Sequence, residues 1–546
     1  MPRCIPAILA WVAGLWLSTP PLPAQTTGPR AVTTEGVVQG FVQHGVARFL
    51  GVPYAAAPIG ALRWMPPQPH APWTGVLSAR AFGPTCAQIT TLGVFAGPPN
   101  DHEDCLYLNV FAPTARATSK RPVIVWIHGG GDFCGESNDY DGSALAARGQ
   151  TIVVTFNYRL GLFGWVAQSA LDAEGHPFGN YGLLDQQLVL HWVRRNIAAF
   201  GGDTMRVTLG GQSAGSEDTE ANLVSPFAQG LFQRAIFQSI VEEPTSLADA
   251  EAAGNAFAVA AGCGSGGAPS VAACLRTLSA ARILALSGTE STTGPYITGP
   301  IADGQILPRD GFTAAFKRNR FNHVPILSGT TRDEANFRLA VAEYFSGPPR
   351  VPASARDYTA YVAQTFGGGA SAYPAGTADK VFARYPLAAY VTPQLAINAA
   401  RTDFLACTQR KLNRLLAPQV PVYAYEFNDR TAPFFFPELP GFQSLAYHTS
   451  DIPYLFPNWH GGPAGISHSL DRPQAELSDQ LVALWAGFAR TGNPNGGSNA
   501  PWPRYDVGPG ATAYYLSENI PALSTVTDAR FSDIHHCDFW EPILVP

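Results

Sequence analysis

Continuous runs of apolar and β-branched residues alternate along the chain with segments of helical periodicity. Residues 123–127 (Val-Ile-Val-Trp-Ile) and 151–156 (Thr-Ile-Val-Val-Thr-Phe) have no charged position, a pattern typical of strands buried on both faces. Residues 142–148 predict a short helix between them, and residues 182–197 show the apolar spacing of a longer helix. A further strand begins at Val207. The alternation predicts an α/β fold with a mostly parallel central sheet.

The remainder of the chain carries no internal repeat and no long low-complexity linker. Residues from about 225 to 440 have the composition of helix-rich insertions with loops rather than of a separable domain. We therefore expect one domain over residues 25–546.

The N-terminus has the composition of an export signal. A positive charge at Arg3 precedes the apolar residues 5–17, and residues 22–24 (Leu-Pro-Ala) form a suitable cleavage site. A retained N-terminal anchor is the competing interpretation. No later run approaches the roughly 20 apolar residues that a membrane-spanning helix needs. The sequence thus predicts a signal peptide over residues 1–24 and a secreted or periplasmic protein without a stable membrane span.

Composition and charge narrow the function. The 546 residues are 46% hydrophobic and 14% charged, with a formal net charge of −6. Such a chain can bury a large core and is unlike a disordered one. Because no block of basic residues is present, the sequence argues against a nucleic-acid partner.

The chain has eight cysteines. If it is exported, they can form disulfides, because disulfides persist in oxidising compartments. Cys4 leaves with the signal, and Cys134 is the expected odd thiol. Sequence alone does not settle connectivity, but loop positions suggest two local pairs and one that ties the C-terminal tail to the body: Cys86 with Cys105, Cys263 with Cys274, and Cys407 with Cys537. We predict no metal site, because neither Cys-x-x-Cys nor His-x-x-x-His spacing occurs.

The Val207 run breaks into Gly211-Gln-Ser213-Ala-Gly215. A serine hydroxyl can attack a carbonyl when it stands on a sharp strand-to-helix turn, and flanking glycines remove side chains that would collide there. The motif makes Ser213 a candidate nucleophile.

A second glycine motif follows the strand at residues 123–127. His128 is followed by three glycines, so backbone N–H groups there can approach a ligand closely. Together with the N–H of Ala214, those of Gly130 and Gly131 would form an oxyanion hole. A flexible turn or a phosphate-binding loop is the alternative, although Gly-x-Gly-x-x-Gly and Gly-Lys-Ser/Thr are absent here.

These motifs, in this order, resemble the type-B carboxylesterase family, which includes the cholinesterases. The resemblance extends over nearly the whole mature chain and rests on the segments 51–54, 103–110, 126–131, 157–161, 200–203, 211–215 and 491–495. It implies an α/β-hydrolase fold with helical insertions and a Ser-His-Glu triad.

By the same resemblance, Glu334 in the segment 325–334 is the expected triad acid, and Asp333 is its local rival. His448, in the loop 446–456, is the expected general base. Ser239 matches a serine that supports the triad by hydrogen bonding, but a plain strand-end serine is an equal alternative. Arg63 with Glu103 and Arg159 with Asp185 occupy positions of buried ion pairs, which fix loops rather than perform chemistry.

Three departures from the family bear on substrate. Asp132 places a carboxylate after the glycine triplet, and we expect it to turn outward and bond to neighbouring groups. Gln212 stands where glutamate is common. Acidic residues begin the helix after Ser213, where helix stability is the simplest explanation; they are Glu217, Asp218 and Glu220.

The sequence therefore predicts a serine hydrolase that cleaves small-molecule carboxylic esters through an acyl-enzyme intermediate, with no cofactor. A thioesterase, amidase or polyester hydrolase using the same triad is the main alternative. A non-catalytic binding protein on the same fold is a third, disfavoured because all three triad positions are filled. Sequence leaves the natural substrate and oligomeric state open.

Overall fold

The computed structural model describes residues 28–89, 95, 98–115, 117–239, 243–287, 299–367, 373–495 and 502–544. The predicted signal peptide, residues 1–24, lies outside the described residues. The strands within the described part of the chain are β1 (Arg30–Val32), β2 (Val37–Gln39), β3 (Phe41–Gln43), β4 (Val46–Pro53), β5 (Val76–Ser78), β6 (Tyr107–Pro113), β7 (Arg121–Ile127), β8 (Ile152–Phe156), β9 (Gly202–Gln212), β10 (Arg234–Gln238), β11 (Thr245–Ser246), β12 (Ile301–Ala302), β13 (Ile326–Thr331), β14 (Val422–Phe427), β15 (Tyr514–Glu518) and β16 (Ser524–Thr527).

The helices connect these strands and cover both faces of the sheet. They are α1 (Ser143–Ala147), α2 (Gly161–Gly164), α3 (Ser169–Asp172), α4 (Tyr181–Asn196), α5 (Ala214–Val224), α6 (Leu247–Ala260), α7 (Ala268–Thr277), α8 (Ala280–Leu286), α9 (Gly311–Lys317), α10 (Asn336–Phe345), α11 (Ala355–Phe366), α12 (Thr377–Arg384), α13 (Pro393–Leu416), α14 (Ile452–Leu455), α15 (Arg472–Thr491), α16 (Asp528–Ile534) and α17 (Cys537–Trp540).

The central sheet has eleven strands in the order β16-β15-β14-β13-β10-β9-β7-β8-β6-β4-β3. Seven neighbouring strands, from β15 through β8, run parallel, whereas both edges are antiparallel. This confirms the α/β-hydrolase architecture with a mostly parallel sheet. Small sheets at β1-β2-β5 and β11-β12 lie outside it.

Alternation along β7 divides the interior into two cores. Val123, Val125 and Ile127 pack into one apolar cluster, whereas Ile124 and Trp126 pack into the other. All five side chains are buried, as expected for a strand covered on both faces. The period-two division agrees with the strand predicted at residues 123–127.

Strand β9 begins earlier than the sequence indicates. The segment 200–203 suggests a turn before a strand at Val207, but β9 starts at Gly202, which pairs with Arg121 of β7 across an irregularity in register. Long-range pairing thus recruits residues of low strand propensity. Helix α4 differs from its predicted bounds by a single residue at each end.

The region predicted as helix-rich insertions contributes α6 to α13, and it also carries the sheet strands β10, β13 and β14. Helices α11, α12 and α13 pack with α17 around a third apolar cluster. This cluster joins the insertion to the C-terminal tail. His535, which lies in this tail, is buried between Asp403 and Glu426.

Three disulfides link Cys86 to Cys105, Cys263 to Cys274 and Cys407 to Cys537, coinciding with the expected pairs. Cys134 is buried, and its thiol donates to the Gly130 carbonyl at 3.3 Å. The third bridge joins α13 to α17.

Within the described ranges, no single helix is both long and apolar enough to cross a membrane; α7 and α8 meet the criterion only as a pair bent by 105°.

We predict that the Cys407–Cys537 bridge stabilises the fold more than the Cys263–Cys274 bridge. The two close loops of 130 and 11 residues, for which chain-entropy loss in the unfolded state corresponds to about 5 and about 3 kcal/mol. Urea titration of the Cys407→Ala/Cys537→Ala and Cys263→Ala/Cys274→Ala double variants compares them. An equal or greater loss of unfolding free energy for the second variant would contradict the prediction.

Candidate active site

Ser213 occupies the turn between β9 and α5. Its backbone angles are φ 59° and ψ −129°, a strained combination for a residue with a side chain. A neighbouring strand fixes the turn, because the Ser213 N–H donates to the Gln238 carbonyl at the end of β10. The serine is therefore fixed at the carboxyl edge of the sheet, where ligands of open α/β sheets bind.

Glycines beside this turn are required by close backbone approach. A Cβ on Gly211 would lie 2.2 Å from the Gly215 carbonyl oxygen, and one on Gly215 would lie 2.2 Å from the Ile127 carbonyl oxygen. Neither distance is compatible with a side chain, so the sharp turn depends on both glycines.

The glycine triplet follows β7 directly and packs against the same turn. A Cβ on Gly129 would lie 3.0 Å from the Ser213 Cβ. Gly130 and Gly131 have φ values of 123° and 59°, and both line a cavity with Ser213 and Ala214. In the described part of the chain, no protein acceptor pairs with the N–H groups of Gly130, Gly131 or Ala214. The first of a helix's N–H groups have no partner within the helix, and Ala214 begins α5.

Glu334 lies just beyond β13 and is buried. Its Oε2 pairs with His448 Nδ1, while its Oε1 accepts from Ser239 Oγ at 2.5 Å, from Thr330 Oγ1 at 2.7 Å and from the Thr331 N–H at 2.7 Å. Burial acts to raise the pKa of Glu334, but His448 and these donors outweigh it and lower the pKa to about 2. The carboxylate is therefore charged across the neutral range.

His448 comes from a loop more than a hundred residues beyond Glu334, and its side chain is only 13% exposed. With Nδ1 engaged by Glu334, its Nε2 lies 3.0 Å from the side-chain nitrogen of Gln212. Between these described residues, Ser213 and His448 form no direct hydrogen bond, although both line the same cavity. Catalytic hydrogen bonds of this kind are often loose without substrate.

Ser239 and Asp333 both lie close to Glu334, but only one of them contacts its carboxylate. Ser239 directly contacts the Glu334 carboxylate. Asp333, the local rival, instead forms an ion pair with Arg430 at 2.8 Å and accepts from the Ala446 N–H and Asn398. Asp333 therefore anchors the histidine loop, and Glu334 is the carboxylate that contacts His448.

The prediction that Asp132 turns outward is wrong, because its side chain stays inside the protein. It is 1% exposed, accepts from the Tyr158 hydroxyl at 3.3 Å and faces the carboxyl of Asp218. Burial raises the pKa of Asp132 to about 7 and that of Asp218 well above its usual range. The bond to a neighbouring side chain is as expected. The carboxyl can stay inside the protein because, with a raised pKa, it is held in its neutral form over more of the pH range.

Gln212 and Thr330 are contacts that sequence reasoning missed. In the sequence, Gln212 is only a departure from the family's glutamate, and Thr330 belongs to none of the motifs. The signal for Thr330 is its spacing, since it lies four residues before Glu334 on β13. Contact between Gln212 and His448 spans 236 residues and has no local signature.

The buried ion pairs expected from the sequence are present. Arg63 pairs with Glu103, and Arg159 pairs with Asp185 at 2.8 Å. Arg63 also donates to carbonyls of residues 276 and 278, so it joins distant loops. These contacts brace the fold around the site.

A cavity of about 530 Å³ brings these groups together. Ser213, Glu334 and His448 line it, as do the three residues with unpaired N–H groups. Acidic and basic side chains also reach it: Asp132, Glu217, Glu243, Arg338 and Arg401. In the described residues, no group of three or more His, Cys, Asp or Glu is arranged to hold a metal ion.

A parallel sheet with a strained serine turn at its carboxyl edge defines an α/β-hydrolase. The sequence pattern of the carboxylesterase family matches residues 28–540. The chain therefore belongs to the carboxylesterase family, and it is a carboxylic ester hydrolase.

Known proteins similar over most of their length support this assignment. A fumonisin B1 esterase of Sphingopyxis macrogoltabida is 34% identical over 524 residues, covering 91% of this chain and 89% of that protein. A medium-chain fatty acyl-CoA hydrolase precursor of Anas platyrhynchos is 32% identical over 510 residues, covering 88% and 87%. A solved structure of PNB esterase superposes with a TM-score of 0.74 at 31% identity, covering 94% of this chain and 99% of that one.

We predict that Asp132→Asn stabilises the protein more at pH 8 than at pH 5. With a folded pKa of about 7 against an ordinary value of 3.8, folded Asp132 holds a proton that the unfolded chain releases. Stability from this group is therefore lost as pH rises towards 7. Asparagine keeps a donor towards Asp218 and removes this loss.

Urea titrations at the two pH values measure the gain in unfolding free energy caused by Asp132→Asn. We expect this gain to be larger at pH 8 than at pH 5 by on the order of 2 kcal/mol. The exposed carboxyl variant Asp101→Asn is the control. Equal effects of Asp132→Asn at both pH values would contradict the assignment of the buried proton.

Proposed function

We propose that this esterase acts through an acyl-enzyme intermediate on Ser213, with His448 as general base and Glu334 as the residue that orients it. The carrying observation is the contact between His448 Nδ1 and the charged, fully buried Glu334 in a cavity that Ser213 also lines. Glu334 fixes the tautomer that leaves Nε2 as an acceptor.

In the first step, Ser213 Oγ attacks the ester carbonyl carbon while His448 Nε2 takes its proton. The Ser213 hydroxyl must then replace the Gln212 amide at Nε2, which lies 3.0 Å away. Negative charge on the former carbonyl oxygen is met by the N–H groups of Gly130, Gly131 and Ala214, which have no described protein acceptor.

Collapse of this intermediate breaks the ester C–O bond, and the leaving alcohol takes the proton from His448. Water then adds to the acyl-Ser213 carbonyl, giving its proton to His448, and the acid is released as Ser213 regains that proton. Positive charge on His448 during both steps faces Glu334, whose low pKa keeps it ionised.

We further propose that the substrate is a small molecule and that the enzyme is exported from a bacterial cell to the periplasm or the medium. A cavity of about 530 Å³ is of the size of small-molecule sites. Three disulfides favour an oxidising compartment, in agreement with the proposed signal peptide at residues 1–24.

We predict that Ser213→Ala lowers hydrolysis of 4-nitrophenyl butyrate by roughly 10⁴-fold or more, because the attacking atom is gone. A fluorophosphonate should label the wild type on the peptide that contains Ser213, and His448→Gln should lose this labelling. Thermal unfolding of the variants controls for folding. Labelling of a different serine, or wild-type rates in Ser213→Ala, would refute the proposal.

Thioester hydrolysis is the second candidate, favoured by the relative named as a fatty acyl-CoA hydrolase. For one butyryl group presented as an ester, a thioester and an anilide, we predict at least a tenfold higher kcat/KM for the ester. The anilide should be slowest, because its nitrogen must be protonated before it leaves. A higher kcat/KM for the thioester would establish the second candidate instead.

A further inference from the structure

Helices α11 and α13 bring three polar side chains to the wall of the Ser213 cavity. Tyr361 and Thr365 lie four residues apart and so share one face of α11, while Arg401 lies on α13. All three line the cavity, and none has a part in the proposed chemistry of ester cleavage. Their arrangement therefore bears on which ester is held there.

The Tyr361 hydroxyl is shielded from solvent, and Thr365 and Arg401 lie close enough to act on it by hydrogen bonding. Within the described part of the chain, neither of these contacts has the geometry of a full hydrogen bond. Burial raises the pKa of this phenol to about 12, while the nearby Arg401 guanidinium acts to lower it. The hydroxyl is thus a proton donor beside a positive charge.

Arg401 differs from other arginines of the fold in its partners. On the same helix, Arg410 pairs with Asp528 at 2.6 Å and also with Glu541. Arg401 instead rests over the Phe404 ring at 5.4 Å. Across the described residues, no carboxylate forms an ion pair with Arg401, so its planar donor edge is available to a ligand.

The remaining charges of the cavity are segregated in the structure. Acidic groups converge near Gly299, where an added Cβ would lie 3.2 Å from Asp132 Oδ2 and 3.7 Å from Glu217 Oε1. The exposed Arg338 lines the cavity as a second cation. An anionic group is therefore expected at Arg401 and not among the acidic side chains near Gly299.

We propose that Arg401, Tyr361 and Thr365 form a subsite for a free carboxylate on the ester substrate, which makes half-esters of dicarboxylic acids the preferred class. The inference rests on the proposed function, because it needs Ser213 as the nucleophile. The ligand carboxylate accepts from the guanidinium and from the Tyr361 hydroxyl, and Thr365 supplies a further donor. A bound carboxylate would give the phenol an acceptor of good geometry, which the described residues do not.

The test compares mono-4-nitrophenyl adipate and suberate with 4-nitrophenyl hexanoate and octanoate. Each pair has the same chain length and leaving group and differs in the terminal carboxylate. The measured quantity is the ratio of kcat/KM for the anionic ester to that for its neutral match. We use Arg401→Met, Tyr361→Phe and the matched control Arg356→Met, which changes an exposed arginine on α11 outside the cavity.

For one chain length or both, we expect the ratio to fall at least tenfold in Arg401→Met and about threefold or more in Tyr361→Phe, as for lost hydrogen bonds to a charged group. It should stay within twofold of wild type in Arg356→Met. Free adipate or suberate should inhibit the wild type competitively and inhibit Arg401→Met at least tenfold more weakly.

A ratio that falls less than tenfold in Arg401→Met at both lengths overturns the subsite, and so does inhibition that Arg401→Met weakens less than tenfold. Unfolding midpoints confirm that each variant is folded. Failure of the proposed function would be seen in a different variant: Ser213→Ala would still hydrolyse the hexanoate ester. That result does not depend on the ratio of kcat/KM for the anionic and neutral esters. The two ideas can therefore fail separately.

Discussion

The site depends on one steric constraint, the close packing of three backbone segments around Ser213. The end of β7, the β9–α5 turn and the end of β10 approach so closely that added Cβ atoms on Gly211 and Gly215 would lie 2.2 Å from carbonyl oxygens. The hydrogen bond from the Ser213 N–H to the Gln238 carbonyl fixes the third segment. Because these segments meet, a serine hydroxyl and the N–H groups of the glycine loop share one cavity, and strain at Ser213 is tolerated.

The donors around each buried carboxyl group in this site determine whether that group is charged. Glu334 has a serine, a threonine, a backbone N–H and His448 as partners, so it stays charged despite burial. Asp132 is equally buried but faces another carboxyl and one phenol, and its pKa rises to about 7. The same residue chemistry thus gives a permanent charge behind the histidine and a proton-sharing pair behind the glycine loop.

Sequence reasoning succeeded where a local conformation depends on near neighbours in the chain. The strand at residues 123–127, helix α4 and the glycine-flanked serine all carry their signals within a few residues. It failed where a role depends on packing, as for the early start of β9, set by pairing with Arg121, and for Asp132, enclosed by Tyr158 and Asp218. Gln212 contacts His448 across 236 residues, a distance that no local pattern reports.

The proposed chemistry and the proposed selectivity lie on different parts of the fold. Ser213 and Glu334 stand at strand ends of the central sheet, whereas Tyr361 and Arg401 belong to helices inserted between β13 and β14. These helices have their own apolar cluster, and the Cys407–Cys537 bridge joins α13 to α17. A side chain on a helix fixed in this way loses little freedom when a ligand binds. On this proposal, substitution on the inserted helices can change which ester is held while the strained turn at Ser213 stays as it is.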